Sequence, residues 1–168
     1  MRIKNAALEI QELWKNLRME SVNTIKAALK SLASDPEVRE QLEEATRAPP
    51  VGVELFRAPK EGFILLAYSE KKGQYRIPHN HGDAWVVYAV VAGQVEMGNY
   101  FNATRLNGSD HLILKNRETL TAGDTRLYLP GEIHDTKCCS EDAVILRLTS
   151  LDLKEEERAG RMERWEQL

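Results

Sequence analysis

Residues 51 to 149 carry a series of short apolar runs: "GFILLAYS", "AWVVYAVVAG", "HLILKN", "TRLYLP" and "AVILRLTS". Gly, Asp, Asn and Pro punctuate them, and no helical pattern intervenes. Runs of this length and composition read as strands. Strands that follow one another at this spacing close into an antiparallel sandwich or barrel.

The flanks read differently. Residues 4 to about 46 are helical by pattern: Ala7, Ile10, Leu13, Trp14 and Leu17 recur at intervals of three and four, and Val22, Ile25, Ala28 and Leu32 repeat the stripe. In "SDPEVREQLEEA" Ser34 or Asp35 can cap, Pro36 suits the first turn and Glu37 can complete a box with Ser34. "RAPPVG" ends the helical region, because proline disfavours helix in the residue before it. After the strands, "LKEEERAGRMERWEQL" predicts a last helix packed through Leu153, Met162 and Trp165. The expected plan is a helical segment at 1–50 packing on a barrel at 51–150, then a C-terminal helix at 151–168.

A chain of 168 residues is long enough to bury a core as one domain without disulfides. Its net charge of -3 leaves no basic footprint for nucleic acid. No run reaches the roughly 18 apolar residues of a membrane span. The amino terminus turns amphipathic without an apolar signal core, so the chain is expected in the cytoplasm, where thiols stay reduced. Cys138 and Cys139 are adjacent and read as two reduced thiols at a strand end.

His79 and His81 are separated only by Asn80, and a strand alternates faces with period two, so both imidazoles look the same way. His134 follows the Pro130-Gly131 turn and starts back along the next strand. A barrel can bring it beside the first two. Three neutral imidazoles from two strands form an open metal site with positions left for water or substrate. Structural zinc would call for a closed set rich in cysteine, and the CxxC spacing is absent. His111, at the start of "HLILKN", reads as a strand-end or surface residue.

The two stretches resemble the paired motifs of the cupin superfamily. Gly73, QYRIP, His79-Asn80-His81, GDAW, Val86 and, six residues on, Gly93 follow the spacing of the first motif. Gly123, DTRLY, Leu129-Pro130-Gly131, EI, His134, DTK and Cys138 follow the second. The resemblance spans about residues 60 to 149 and implies a mainly β fold, the double-stranded β-helix or jelly-roll barrel. It implies His79, His81 and His134 as ligands of one divalent metal ion. Three positions depart from the pattern: Val86 stands where many cupins have a fourth-ligand glutamate, Leu129 replaces the first proline, and Cys138 replaces the terminal asparagine.

A three-histidine set without the glutamate is similar to cysteine dioxygenase and related cupin dioxygenases, which use iron(II). The implied function is a mononuclear non-haem iron dioxygenase that takes O2 and a small bidentate anion, such as a thiol carboxylate or a diketone. The Ser-His-Tyr relay of cysteine dioxygenase has no counterpart in "RLTSLDLKEEE", where only Ser150 matches. Two other readings stay open. One is a non-catalytic ligand-binding or sensing cupin. The other is a zinc, manganese or nickel Lewis-acid isomerase or hydrolase, with Glu132 or Asp135 as the acids nearest His134 in sequence.

Arg57, Arg76 and Arg147 are candidates for a two-pronged grip on a carboxylate. Strand alternation turns Arg76 away from the histidines. Arg147, between Leu146 and Leu148 in an apolar strand, needs an anionic partner if it lies inside. Tyr88 is a wall residue and a candidate ligand contact. Simple alternation puts Trp85 on the side of His81, whereas the motif register puts Val86 inside, unless a loop at Gly82-Asp83 resets the phase. The N-terminal helices can cap their own barrel or pack against a second subunit, as in a homodimer.

Overall fold

The computed structural model describes residues 2–14, 18–47, 52–103 and 111–166. Three helices come first: α1 (Arg2–Trp14), α2 (Met19–Ala33) and α3 (Pro36–Ala45). Nine strands follow: β1 (Val53–Arg57), β2 (Ile64–Lys71), β3 (Tyr75–His79), β4 (Val86–Ala92), β5 (Gln94–Asn102), β6 (Leu112–Thr121), β7 (Thr125–Tyr128), β8 (Ile133–Cys138) and β9 (Asp142–Thr149). A short α4 (Leu153–Arg158) comes last. The strands form two antiparallel sheets, ordered β1-β2-β9-β4-β7 and β3-β8-β5-β6. This is the jelly-roll arrangement, mainly β with helices at its amino-terminal end. Among the described residues no helix is long and apolar enough to cross a membrane.

The five-stranded sheet is apolar on both faces, and the period-two geometry of its strands explains how. In β4 the even residues Val86, Tyr88 and Val90 enter the barrel, beside Tyr68, Val95, Met97 and Ile145. The odd residues Val87, Ala89 and Val91 pack outward against Ile10, Ile25, Leu29 and Leu42 of the helices. β9 divides in the same way, with Leu146 and Leu148 toward the helices and Ile145 toward the barrel. A continuous apolar run such as "VVYAVVA" is therefore a strand covered on both sides. The helical stripes anticipated at Ile10, Val22, Ile25 and Leu32 are buried. Asp35 caps α3, accepting from the Glu37 and Val38 amides at 2.9 and 3.4 Å, while the Ser34 hydroxyl donates to the Lys30 carbonyl instead.

The carboxyl end departs from the expected helix. α4 stops at Arg158, Gly160 adopts φ +69°, and residues 161–166 run extended beside β3. A left-handed glycine is a helix terminator, and it overrides the helix-forming residues that follow. Trp165 packs with Tyr100, Leu112 and Ile133 rather than on a helix face.

The phase question is settled by a break between β3 and β4. Gly82 takes φ +62° in a turn, after which Val86 points into the barrel and Trp85 turns outward. There Trp85 stacks on Trp14 with ring centroids 5.0 Å apart, and Trp14 in turn stacks on Phe63 at 4.5 Å. Both cysteines are free thiols, Cys138 buried and Cys139 exposed.

If helices and sheet share one core, Leu29→Ala should cost about 2–5 kcal/mol. The expected result is a lower midpoint in urea with an unchanged slope, read by both tryptophan fluorescence and far-ultraviolet dichroism.

Candidate metal centre

His79 ends β3, and its cross-strand partner in β8 is His134. Pairing between strands from distant parts of the sequence thus brings the two rings to 4.6 Å between centroids. His81, just past the end of β3, completes the group, with centroids 5.2 Å from His79 and 5.0 Å from His134. One nitrogen of each ring lies within 4.8 Å of the others. The Nε2 atoms of His81 and His134 are 3.3 Å apart. Two imidazole nitrogens bound to one ion at ordinary lengths lie about 2.9–3.4 Å apart, so this pair fits a shared cation.

The protonation states fit as well. Burial pushes His81 and His134 well below the usual imidazole range, reinforced by the neighbouring rings. His79 is also lowered, chiefly by burial. Neutral rings expose the lone pairs that a metal needs. Nδ1 of His79 lies 2.8 Å from the Ile77 carbonyl, to which it donates, which leaves Nε2 as the free donor. Nδ1 of His81 and of His134 has no partner among the described residues. The set is three neutral donors without a carboxylate behind them.

Around the cluster, Tyr128 stacks on His134 at 3.9 Å and donates to Asn99 Oδ1 at 2.9 Å. The Tyr88 hydroxyl lies 3.2 Å from His81 Nε2. A cavity of about 480 Å³ opens beside His79 and His81, lined also by Tyr68, Tyr88, Arg147 and Met162. Val86 is buried in the barrel interior, so no carboxylate stands at that place.

The candidate arginines separate. Arg147 reaches the cavity; its Nε is buried without a partner, and no carboxylate pairs with it among the described residues. Its guanidinium lies 5.7 Å from the centre of the Tyr68 ring. Arg57 is not brought to the histidines. It lines a neighbouring pocket that shares Arg147, Leu153 and Lys154 with the cavity, and pairs with Glu54 and Asp152, at 2.7 and 2.9 Å. Arg76 departs from the expected outward position. The β3–β8 register shifts between Arg76 and His79, and the side chain lines the cavity, paired with buried Glu70 at 2.7 Å.

Glu70 is the residue that sequence reasoning missed. It shares a face of β2 with Tyr68, a charge in an apolar strand, the same anomaly that singled out Arg147 in β9. The acids near His134 are occupied elsewhere. Asp135 lies buried on the opposite side of β8, accepting from the Tyr75 and Tyr100 hydroxyls, the Gly98 amide and Arg117. Glu132 accepts from the Leu129 amide in the exposed turn. Ser150 holds Trp85 through its hydroxyl and backbone amide.

No protein-family model and no curated protein sequence matches the chain. Among solved structures, CapF, studied with the inhibitor 3-isopropenyl-tropolone, aligns at 15% identity and TM-score 0.53. That alignment covers 70% of this chain and 32% of CapF. The cupin domain of Schizosaccharomyces pombe Cnp3 aligns at 11% identity and TM-score 0.48, covering 66% of each chain. An oxalate oxidase aligns over 54% of this chain at 19% identity and TM-score 0.42, and the match spans about two fifths (42%) of its length. At such identities the likeness is one of fold. The chain has the double-stranded β-helix fold of cupins, with a three-histidine cluster that could hold a divalent metal.

The buried imidazoles also set a pH dependence for the metal-free protein. Unfolding returns them to an ordinary value near 6.5, so below it the unfolded chain binds more protons than the folded one. Stability is full above about pH 6.5 and falls as pH drops below that value. Thermal denaturation across a pH series should show this acid-side loss, and His81→Gln should flatten it.

Proposed function

We propose that the protein is a mononuclear non-haem iron dioxygenase acting on a small bidentate anion, with His79, His81 and His134 as its ligands. The observation that carries this reading is the neutral cluster opening onto a cavity whose wall holds an arginine with no carboxylate partner among the described residues. Three neutral donors leave a divalent ion's charge uncompensated, and Arg147 adds more, so the preferred ligand is anionic. Bound iron(II) supplies the redox chemistry with O2 that no side chain here provides.

The chain's own residues bind and orient. Arg147 offers a planar fork to a carboxylate or enolate at the cavity wall. Tyr88, between Arg147 and His81, offers a hydroxyl that burial keeps protonated by raising its pKa. Tyr68, Leu153 and Met162 line the cavity and shape its wall.

Among the described residues, Glu157 at the cavity is paired with Arg164 and Glu70 with Arg76, which favours a second reading, a cupin that binds its ligand without turning it over. Asp135, Glu132 and Ser150 are committed to structure, which weighs against the Lewis-acid hydrolase. Metal content separates these ideas from an empty barrel. Protein purified without added metal should carry about one divalent ion per chain, and His81→Ala should abolish its retention.

Oxygen uptake by the iron form should then appear with a thiol carboxylate, diketone or phenolic acid and vanish when zinc replaces iron. A zinc form that keeps ligand affinity, beside an iron form that consumes no oxygen, selects the binding reading. Arg147→Met should weaken an anionic ligand about 10–100-fold, the loss of a charge-assisted hydrogen bond, and leave metal content unchanged.

A further inference from the structure

The extended segment after Gly160 is zipped to the backbone on both sides of His79. Trp165 N donates to the Pro78 carbonyl at 2.9 Å, and Asn80 N donates to the Glu163 carbonyl at 3.1 Å. Between His79 and His81 sits Asn80, buried although polar. Its Oδ1 accepts from the Glu163 amide at 2.9 Å and the Gly82 amide at 3.2 Å. Its Nδ2 donates to Glu163 Oε2 at 2.9 Å. Two amide donors aim at one atom and a carboxylate at the other, so the orientation of the side chain is fixed by its partners.

A second clip holds the same segment down. Glu156 accepts from both Nε and Nη2 of Arg161, at 2.9 and 2.6 Å, and from the Asp83 amide at 3.0 Å. Gly82 is approached so closely that a Cβ there would lie 2.6 Å from Glu156 Oε2 and 3.1 Å from Arg161 Cβ. The strap also forms part of the cavity wall, through Met162 and Arg164.

The geometry points to Asn80 as a positioning residue: it fastens the His79–His81 turn to the C-terminal strap, so that metal binding and strap docking stabilise each other. The inference rests on the metal reading above. His79 and His81 flank the one residue that the strap grips from three directions. A turn held in a single conformation presents both imidazoles without an ordering cost at binding, whereas a loose turn must be ordered first. Coupling of this kind is reciprocal, so an ion at the histidines must tighten the strap by the same factor.

Zinc(II) affinity, measured by competition with a chromophoric chelator, tests this without any turnover. Asn80→Ala should bind zinc about 10–100-fold more weakly than wild type, the usual effect of removing a partner that orients ligands. Glu163→Ala, exposed and outside the histidine motif, should show a loss of the same sign even if the Asn80 variant folds poorly.

Asn80→Asp keeps the acceptor but sets a carboxylate against Glu163, and should also bind weakly. Adding Glu163→Gln restores a donor–acceptor pair and should recover most of the affinity. In wild type, zinc should slow hydrogen exchange at the Asn80, Glu163 and Trp165 amides. Variants that lose thermal stability yet keep wild-type zinc affinity overturn the inference while sparing the metal reading. A wild-type protein that retains no zinc overturns both.

Discussion

Three imidazoles whose facing nitrogens lie within 4.8 Å of one another in a barrel interior are pushed by burial toward their neutral forms. A proton on any one would place a charge beside two rings that share its desolvation, and burial penalises that charge first. The fold therefore supplies a cluster of lone pairs that cannot satisfy each other fully, since Nε2 of His81 faces Nε2 of His134. The surrounding groups follow from this constraint. Tyr88 supplies a hydroxyl to His81, Tyr128 covers the face of His134, and His79 leans on the Ile77 carbonyl.

Such an interior is costly, and the rest of the architecture offsets it. The five-stranded sheet draws on two apolar layers: the outward faces of β2, β4 and β9 meet the helices, and only part of the inward faces meets the opposite sheet. The barrel can then leave one end polar and hollow. The larger apolar cluster is the helix–sheet layer, where Phe63, Leu65, Leu146 and Leu148 are buried.

Much of this was legible in the sequence. The strand runs, the helical stripes and the histidine spacings each depend on local periodicity, which side-chain order encodes directly. Convergence of residue 134 on residues 79 and 81 was legible through the resemblance of the two stretches to the paired cupin motifs, and the β3–β8 pairing brings it about. Arg76 was misplaced because a register shift inside β3 breaks the simple alternation on which the argument relied. The C-terminal helix was overextended because helix-forming residues stand on both sides of Gly160, whose left-handed backbone ends the helix after Arg158. The pairing of Glu70 with Arg76, and the grip of Glu163 on Asn80, needed three-dimensional proximity that no local pattern carries.

The two arginines of the cavity show how charge at the site is apportioned. Arg76 already has buried Glu70, and the pair leaves no net charge on that side. Arg147 has the Tyr68 ring and the Tyr88 phenol for neighbours, and its buried Nε has no partner among the described residues. A half-buried guanidinium without a carboxylate is tolerable while the open cavity lets solvent or a ligand reach its other nitrogens. Under the proposed reading, a cation at the histidines would add further positive charge to the same cavity. Such a field disfavours cationic ligands, and an anion that touches both sites would relieve the two charges at once.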